Sequence, residues 1–257
     1  MTPAEIQAHQ HAKAPNRLNY SSSPVDGFRV LKDSEKEALT GVSWGPTDGT
    51  LPTFVMTSTF LDDVGITKVS LDSVEVITGA LTLGASLTTF LAPILGSVGG
   101  AADLSPATGL TSVVLPYLAS VGGNLKLNIA NLTRVVLDSL ATVNGDLLFD
   151  GASITSLSLP ALTAVGGATK KLSAVNCASL ATVSIPVFVP VNDNVVTFAG
   201  CALTAASVNH ILARCVAAGI TSGTVTLTGG TNAVPTGQGA TDLAALIAAG
   251  VTATANS

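Results

Sequence analysis

A repeated unit in the middle of the chain most constrains its fold. Residues 110–131 read LTSVVLPYLASVGGNLKLNIAN, and residues 132–153 read LTRVVLDSLATVNGDLLFDGAS, a second copy of the same 22-residue unit. Extending this register places successive unit starts 21 to 26 residues apart, at Ile66, Leu87, Leu110, Leu132, Ile154, Leu180 and Leu203. A period in this range is typical of a solenoid, in which each coil buries its apolar side against its neighbours.

Four columns of the aligned units support this register. The sixth residue after each start is a turn former, namely Asp72, Pro93, Pro116, Asp138, Pro160, Pro186 and Asn209. The eighth and eleventh residues are apolar, as in Leu95, Leu118, Leu140, Leu162 and Val98, Val121, Val143, Val165. The thirteenth is glycine in five units, namely Gly79, Gly100, Gly123, Gly145 and Gly167. We interpret this glycine column as a turn with positive φ, which other residues resist.

Alternation within each unit predicts β-strands with one buried face. The inward residues of the third unit are predicted to be Leu110, Val113, Leu115, Leu125, Leu127 and Ile129. Each coil is expected to hold two short strands, joined by a corner at Pro116 and a turn at Gly122 and Gly123. Because every coil follows the same path, equivalent strands run parallel, about 4.8 Å apart. The predicted fold is mainly β: a parallel β-solenoid of about six coils over residues 66–202.

Residues 1–65 differ from the repeats and are predicted to form an irregular arm or small docking region. They hold 13 charged residues, the only tryptophan and several loop signals rich in Pro, Gly and Ser. Tyr20, Phe28, Trp44 and Phe54 have few apolar neighbours in sequence. We expect these four aromatic side chains to pack on the first coil or on another protein. The alternative is that the region only covers the open end of the solenoid, which terminal coils require.

Residues 203–257 are predicted to form an α/β cap. Apolar residues at three-to-four spacing, from Ala206 to Val216, indicate a helix with Thr204 as its N-cap and Gly219 at its end. The segment GTVTLTGG predicts a strand, residues 242–249 a second short helix, and VTATAN a last strand. This cap is expected to close the C-terminal end of the rod.

The charge and hydropathy of the chain exclude several partners. Its net charge is −5 without a basic run, which argues against nucleic-acid binding, because phosphate contacts need clustered Lys and Arg. Mean hydropathy is +0.56, but polar residues interrupt every window near 20 residues, which argues against a membrane span. The start of the chain lacks the apolar core of a secretory signal, so we expect folding in a reducing cytosol. A disulfide between Cys177 and Cys201, on adjacent coils, is an unfavoured alternative there.

Histidine and cysteine offer little chemistry in this sequence. His9 and His11 have no third ligand nearby, so we do not predict a metal site. His210 and Cys215 lie five residues apart on the predicted helix, which places them on different faces. A nucleophilic Cys–His pair needs hydrogen-bond reach and a third, orienting group. No catalytic residue or cofactor is therefore predicted.

The acidic residues and the glycine-rich tail are also expected to be structural. Adjacent Asp62 and Asp63 diverge and do not form the facing carboxylate pair of a glycosidase. Three aspartates of one coil region would bind Ca²⁺ only if they converged, namely Asp138, Asp146 and Asp150. The segment GGTNAVPTGQG lacks the Lys and Ser or Thr of a phosphate-binding loop. The longest unit carries an insertion near residues 167–175 with Lys170 and Lys171, which we interpret as a bulged loop.

The repeated unit and LPALTAVGG at residues 159–167 resemble leucine-rich-repeat-like coils of receptor L-domains and bacterial surface proteins. They depart from the standard repeat, which has an asparagine ladder and a regular convex helix. The segment LTAASVNHILARCVAAGITSGTVTLTGGTNAVPTGQG also resembles the closing segment of such repeats in bacteriophage virion proteins. These resemblances cover residues 66–257 and imply a structural or adhesive surface protein without catalytic residues.

Three functions follow as expectations. The first is a non-enzymatic virion structural protein, a capsid decoration or tail component assembled in the host cytoplasm and docked on other virion proteins. The second is an adhesin or host-binding module at the bacterial cell surface, with a glycan as partner. The third is a polysaccharide-degrading β-helix enzyme, which would need a groove of carboxylates, arginine and aromatic residues. The oligomeric state stays open.

Overall fold

The computed structural model describes residues 54–56, 59–61, 67–72 and 74–257. These residues form a parallel β-solenoid of about six turns, followed by two helices and two further strands. The predictions for Tyr20, Phe28, Trp44, His9, His11, Asp62 and Asp63 lie outside the described residues.

Two long parallel sheets form two sides of the solenoid. The six-stranded sheet contains β1 (Phe54–Met56), β4 (Val74–Ile77), β7 (Ser97–Val98), β10 (Ser120–Val121), β13 (Thr142–Val143) and β16 (Ala164–Val165). The nine-stranded sheet contains β2 (Thr59–Leu61), β5 (Leu81–Leu83), β8 (Ala102–Asp103), β11 (Leu125–Lys126), β14 (Leu147–Leu148), β17 (Lys171–Ser173), β19 (Val195–Thr197), β20 (Thr224–Leu227) and β21 (Thr252–Ala255).

The third side consists of three separate strand pairs. They are β3 (Lys68–Ser70) with β6 (Thr89–Leu91), β9 (Ser112–Val114) with β12 (Arg134–Val136), and β15 (Ser156–Ser158) with β18 (Thr182–Ser184). A complete coil therefore holds three strands, and the prediction of two was wrong. In the second to fifth coils the additional strand has only two residues, such as Ser120–Val121, which is too short to produce visible alternation.

The apolar columns form one continuous core. All six inward residues predicted for the third unit are buried, and Leu95, Leu118, Leu140 and Leu162 are at most 1% exposed. Their strands pair in register from coil to coil, as in Ser97 with Ser120 and Ser120 with Thr142. The predicted corner at Pro116 is present as a turn closed by Leu118 N–H donating to the Leu115 carbonyl oxygen at 3.2 Å.

The glycine column has a different cause from the one predicted. Gly100, Gly123 and Gly145 do not have positive φ. They are needed because the backbone of the preceding coil passes too close for a side chain: a Cβ on Gly123 would lie 2.8 Å from the Ala101 backbone nitrogen. The turns are also hydrogen-bonded to each other, with Gly123 N–H donating to the Gly100 carbonyl oxygen at 2.9 Å.

The six-stranded sheet ends three strands before the nine-stranded sheet. The position that would continue it is occupied by Pro190, which has no N–H to donate. The following N–H, of Val191, donates instead to Asn194 Oδ1 within its own coil, at 2.9 Å. The nine-stranded sheet continues through β19 into β20 and β21.

The C-terminal elements have the predicted order. Helix α1 (Ala205–Ala217) has Thr204 as N-cap, whose hydroxyl accepts from Ser207 N–H, and Gly219 follows with φ +67°. Ala206 and Val216, expected on its apolar face, are exposed, whereas Ser207 is buried. Helix α2 (Gln238–Ala248) begins four residues before the predicted start, and it packs on α1 and β21.

Candidate functional site

The outer face of the nine-stranded sheet presents its side chains in rows. Since alternate residues of each strand point into the core, the residues between them align on the surface at matching registers. One such row contains Asp103, Lys126, Leu148, Ser173, Thr197, Thr226 and Thr254. The face is charged over the early coils and threonine-rich over the last three strands.

An open groove of about 490 Å³ crosses β14, β17 and β19, between the charged part and the threonine-rich part of this outer face. We call it the polar groove and define it by Asp146, Asp150, Lys171, Ser173, Asn176 and Thr197. It lies beside the insertion in the fifth coil: Val143 and Leu147 are four positions apart, whereas their partners Val165 and Leu172 are seven apart. The longer turn after β16 places the exposed Lys171 at the groove, while Lys170 is half-buried.

The two groove aspartates are hydrogen-bonded to the next coil. Asp146 Oδ1 accepts from the Lys171 N–H at 2.9 Å. Asp150 Oδ1 accepts from the Val175 N–H at 2.8 Å and from the Ser173 hydroxyl. The exposed Asp138 lies at a separate turn, before β13. Within the described ranges, no group of three or more His, Cys, Asp or Glu could hold a metal ion. Asp146 and Asp150 tie one coil to the next.

Replacing Asp150 with alanine is expected to lower the free energy of unfolding by about 2 kcal/mol, because it removes the acceptor of a backbone N–H and a buried hydroxyl. The same loss is expected with and without added Ca²⁺. Chemical denaturation in both conditions measures it, and Asp138→Ala is the control because that carboxylate is exposed. A Ca²⁺-dependent stabilisation of the parent that Asp150→Ala abolishes would contradict the structural role.

An ion pair lies on the early part of this face. Lys126 Nζ lies 3.0 Å from Asp103 Oδ2 and joins neighbouring coils. Burial alone would raise the pKa of Asp103, but hydrogen bonds from Ser105 and Lys126 outweigh it and hold the pKa below its usual value. Both side chains are partly exposed, so the pair contributes modestly to stability. Its main effect is to keep Asp103 ionised on the surface.

The three cysteines are buried and free, so the structure contains no disulfide between Cys177 and Cys201. Cys177 donates to the Phe149 carbonyl oxygen at 3.1 Å, and Cys201 donates to the Ala174 carbonyl oxygen at 2.9 Å. The neighbouring Cys177 and burial raise the pKa of Cys201. Burial likewise raises the pKa of Cys215 to about 12. A thiolate is the reactive form of cysteine, and Cys201 and Cys215 are held as thiols.

His210 lies at the contact between the solenoid and its C-terminal cap. Its Nε2 accepts a hydrogen bond from the Ile185 N–H at 3.0 Å, which requires an unprotonated ring nitrogen. Desolvation, followed by the charge of Arg214, lowers the pKa of His210 below 6.5. Arg214 itself donates from Nε and from one terminal nitrogen to the Phe188 carbonyl oxygen, at 3.0 and 2.7 Å. Both residues fix α1 to the coil that contains Ile185 and Phe188.

The lowered pKa of His210 predicts that acid weakens the fold. The unfolded chain takes up the proton first as the pH falls. The contribution of His210 to the free energy of unfolding should therefore be complete above pH 6.5 and decrease as the pH drops below that value. His210→Gln, which retains an acceptor and does not titrate, should reduce this slope. Urea denaturation between pH 7 and pH 5 of both proteins tests it, and identical pH profiles would contradict the assignment.

The glycine-rich tail segment, residues 229–239, is a structural turn. Gly229 and Gly230 have φ of +80° and +59°. Asn232 is buried, its Oδ1 accepts from Leu203 N–H, and its amide group donates to the carbonyl oxygens of Phe198 and Leu227 at 2.8 and 3.0 Å. This asparagine was not singled out by sequence reasoning, because a single Asn in a polar loop carries no periodic signal.

No known family model, curated protein or solved structure matches this chain. The resemblance to leucine-rich-repeat coils and to virion proteins therefore depends on the sequence pattern alone. Among the described residues, neither helix has the length and apolar composition needed to cross a membrane.

Proposed function

We propose that this protein is a non-enzymatic structural component of a bacteriophage virion, a capsid decoration or tail part, that attaches through residues 1–65 and displays the solenoid. The observation that carries the proposal is the difference between the two ends of the rod. α1, α2, β20 and β21 close the C-terminal end. Residues 1–65, which include the predicted docking residues Tyr20, Phe28, Trp44 and Phe54, precede the opposite end in the sequence.

The character of the rod supports a display role. Its core is continuous, its strands pair in register, and each coil is tied to the next by hydrogen bonds such as those of Asp146 and Asp150. Such a rod is stiff because every coil is fixed by its neighbours on both sides. Its coils of 21 to 26 residues and its closing segment resemble leucine-rich-repeat-like coils and the tails of virion proteins.

Mass spectrometry and electron microscopy of purified phage particles test this proposal. We expect the chain at a fixed copy number per particle, with the solenoid projecting from the surface. The double variant Tyr20→Ser/Phe28→Ser should reduce incorporation, whereas Val187→Ser, an exposed change far along the rod, should not. Absence of the chain from particles made in a host that expresses it would overturn the proposal.

A host-binding or glycan-binding module is the second candidate, favoured by the polar groove. Its carboxylates, Lys171, Asn176 and Thr197 are groups that hydrogen-bond to hydroxyl-rich ligands, and the threonine rows extend that surface. A glycan array with the parent chain and with Lys171→Ala/Thr197→Val tests it. Binding that the double variant loses supports this candidate, and an array without signal for the parent removes it.

A polysaccharide-degrading enzyme is the most distant alternative. Catalysis of that kind needs one carboxyl group to donate a proton and a second to act as base or nucleophile. Asp146 and Asp150 of the polar groove both accept backbone hydrogen bonds from the following coil. These contacts hold neighbouring coils together and occupy one oxygen of each carboxyl group. A reducing-sugar assay on bacterial surface polysaccharides tests this alternative.

A further inference from the structure

A second groove, on the side of the six-stranded sheet, is apolar and open. It has a volume of about 350 Å³ and is lined by Glu75, Val76, Ile94, Gly96 and Tyr117. Ile94 is 38% exposed and Tyr117 is 63% exposed. We call this surface the apolar groove. Ile94 and Tyr117 lie at the same position of neighbouring coils and together form an exposed apolar patch, which makes this surface a candidate for contact with another segment or molecule.

The apolar groove is confined to the first coils. Ile94 and Tyr117 are each the seventh residue after a unit start. The same position is serine in the next coil, at Ser139, and alanine in the one after, at Ala161. An apolar residue returns only at Val187, which is 44% exposed. Since this position points outward in each coil, the large side chains at its N-terminal end are not required by the core.

The chain enters the solenoid beside this groove. β1 pairs in parallel with β4, and the register places Val55 opposite Val76, which lines the groove. Neighbouring strands lie about 4.8 Å apart, so the backbone of Val55 lies within one strand spacing of a residue that lines the apolar groove. The described chain therefore begins beside the apolar groove, and Phe54 follows directly after residues 38–53 in the sequence.

We propose that residues 38–53 of the same chain occupy the apolar groove, with Trp44 against Ile94 and Tyr117. Trp44 precedes Phe54 by ten residues, a stretch that spans up to about 33 Å when extended. Residues 38–53 carry one charged side chain, Asp48, and Glu75 is the one charged residue that lines the groove. Burial of a tryptophan against a tyrosine removes a large apolar area from water.

This inference is independent of the virion proposal. It uses Trp44 and leaves Tyr20 and Phe28, further upstream, as the residues for attachment to another protein. It applies to the isolated full-length chain, whereas attachment concerns the assembled particle. Failure of one proposal therefore does not imply failure of the other.

The only tryptophan of the chain reports directly on this contact. Acrylamide should quench Trp44 fluorescence severalfold less in the folded full-length protein than in the urea-unfolded protein, and its emission should lie at shorter wavelength. Ile94→Ser/Tyr117→Ser should raise quenching toward the unfolded value. Val187→Ser is the matched control, because Val187 occupies the same unit position and is also exposed, and it should leave the quenching unchanged. Circular dichroism establishes that each variant retains its β structure.

A reciprocal measurement does not depend on the folding of the groove variant. Trp44→Ser should increase hydroxyl-radical modification of Tyr117 in the full chain and leave that of Val187 unchanged. The inference is overturned if Trp44 of the parent is quenched as in urea, which would leave the groove to another protein. It is equally overturned if the protection disappears on dilution, which would assign the segment to a second copy. Unchanged quenching in Ile94→Ser/Tyr117→Ser would also reject it.

Discussion

Gly122→Ala is expected to lower the free energy of unfolding by about 3 kcal/mol, as overpacking at a position without room does. A Cβ at Gly122 would overlap the Gly99 carbonyl oxygen and lie 2.6 Å from its carbonyl carbon. The obstacle is backbone, which no side-chain rotation can remove. Gly122 N–H also donates to the Val98 carbonyl oxygen at 2.8 Å. Separating the coils to admit a methyl group would therefore weaken the hydrogen bonds between them.

Gly167→Ala provides the matched control for this prediction. Gly167 lies in the same series of turns, its φ is not positive, and an added Cβ would meet nothing within 4 Å. Urea denaturation should show a large decrease for Gly122→Ala and a change within about 0.5 kcal/mol for Gly167→Ala. Equal effects of the two substitutions would show that close approach between coils does not determine which glycines of these turns are required.

The core could be predicted from the sequence because each coil repeats the same burial problem. Leu118 occupies the same position in its unit as Leu95 and Leu140, and all three are buried. Because the same position must be buried in every coil, apolar residues recur at a fixed spacing in the sequence. That spacing predicts how the coils align with one another. The helix α1 was predictable for a related reason, since its N-cap Thr204 and the Gly219 that follows it are local signals.

The features that sequence reasoning missed are those without a period. The two-residue strand Ser120–Val121 is too short to alternate, and the glycine column has a cause that appears only when coils are stacked. α2 begins before its predicted start because Gly237 and Gly239, on either side of Gln238, are weak helix signals. The polar groove lies beside an insertion in one coil, so the repeat pattern of the other units does not predict it. Aperiodic contacts of this kind need coordinates.

This distinction also bears on function. The repeated positions of a solenoid are occupied by residues that pack the coils together. Selective binding of a partner or ligand therefore has to come from residues that break the repeat. In the described part of the chain, such departures include the insertion beside Lys171, the outward Ile94 and Tyr117, and the change at Pro190 that ends one sheet. The two grooves coincide with the first two of these departures. Mutational work on binding should therefore begin there and not at the regular rows.

Phe149→Ala is expected to have the largest effect of any single change discussed, a loss of about 4 kcal/mol in the free energy of unfolding. Phe149 is fully buried on the inner side of the nine-stranded sheet. Hydrogen bonds between successive coils place Ala174 between Phe149 and Phe198. Phe149 N–H donates to the carbonyl oxygen of Ser173, the residue before Ala174, and Ala174 N–H donates to that of Thr197, the residue before Phe198. The small residue makes room for the two rings.

This arrangement predicts coupling between the two positions. Ala174→Leu alone should cost about 2 kcal/mol by overpacking, whereas in the Phe149→Ala background the added side chain enters the vacated space and restores part of the lost stability. A double-mutant cycle by urea denaturation measures the coupling, with the exposed Ile247→Ala as a control expected within about 0.5 kcal/mol of the parent. Strictly additive losses would mean that Ala174 does not share a packing layer with Phe149, and the stacking of large and small residues along the core would have to be abandoned.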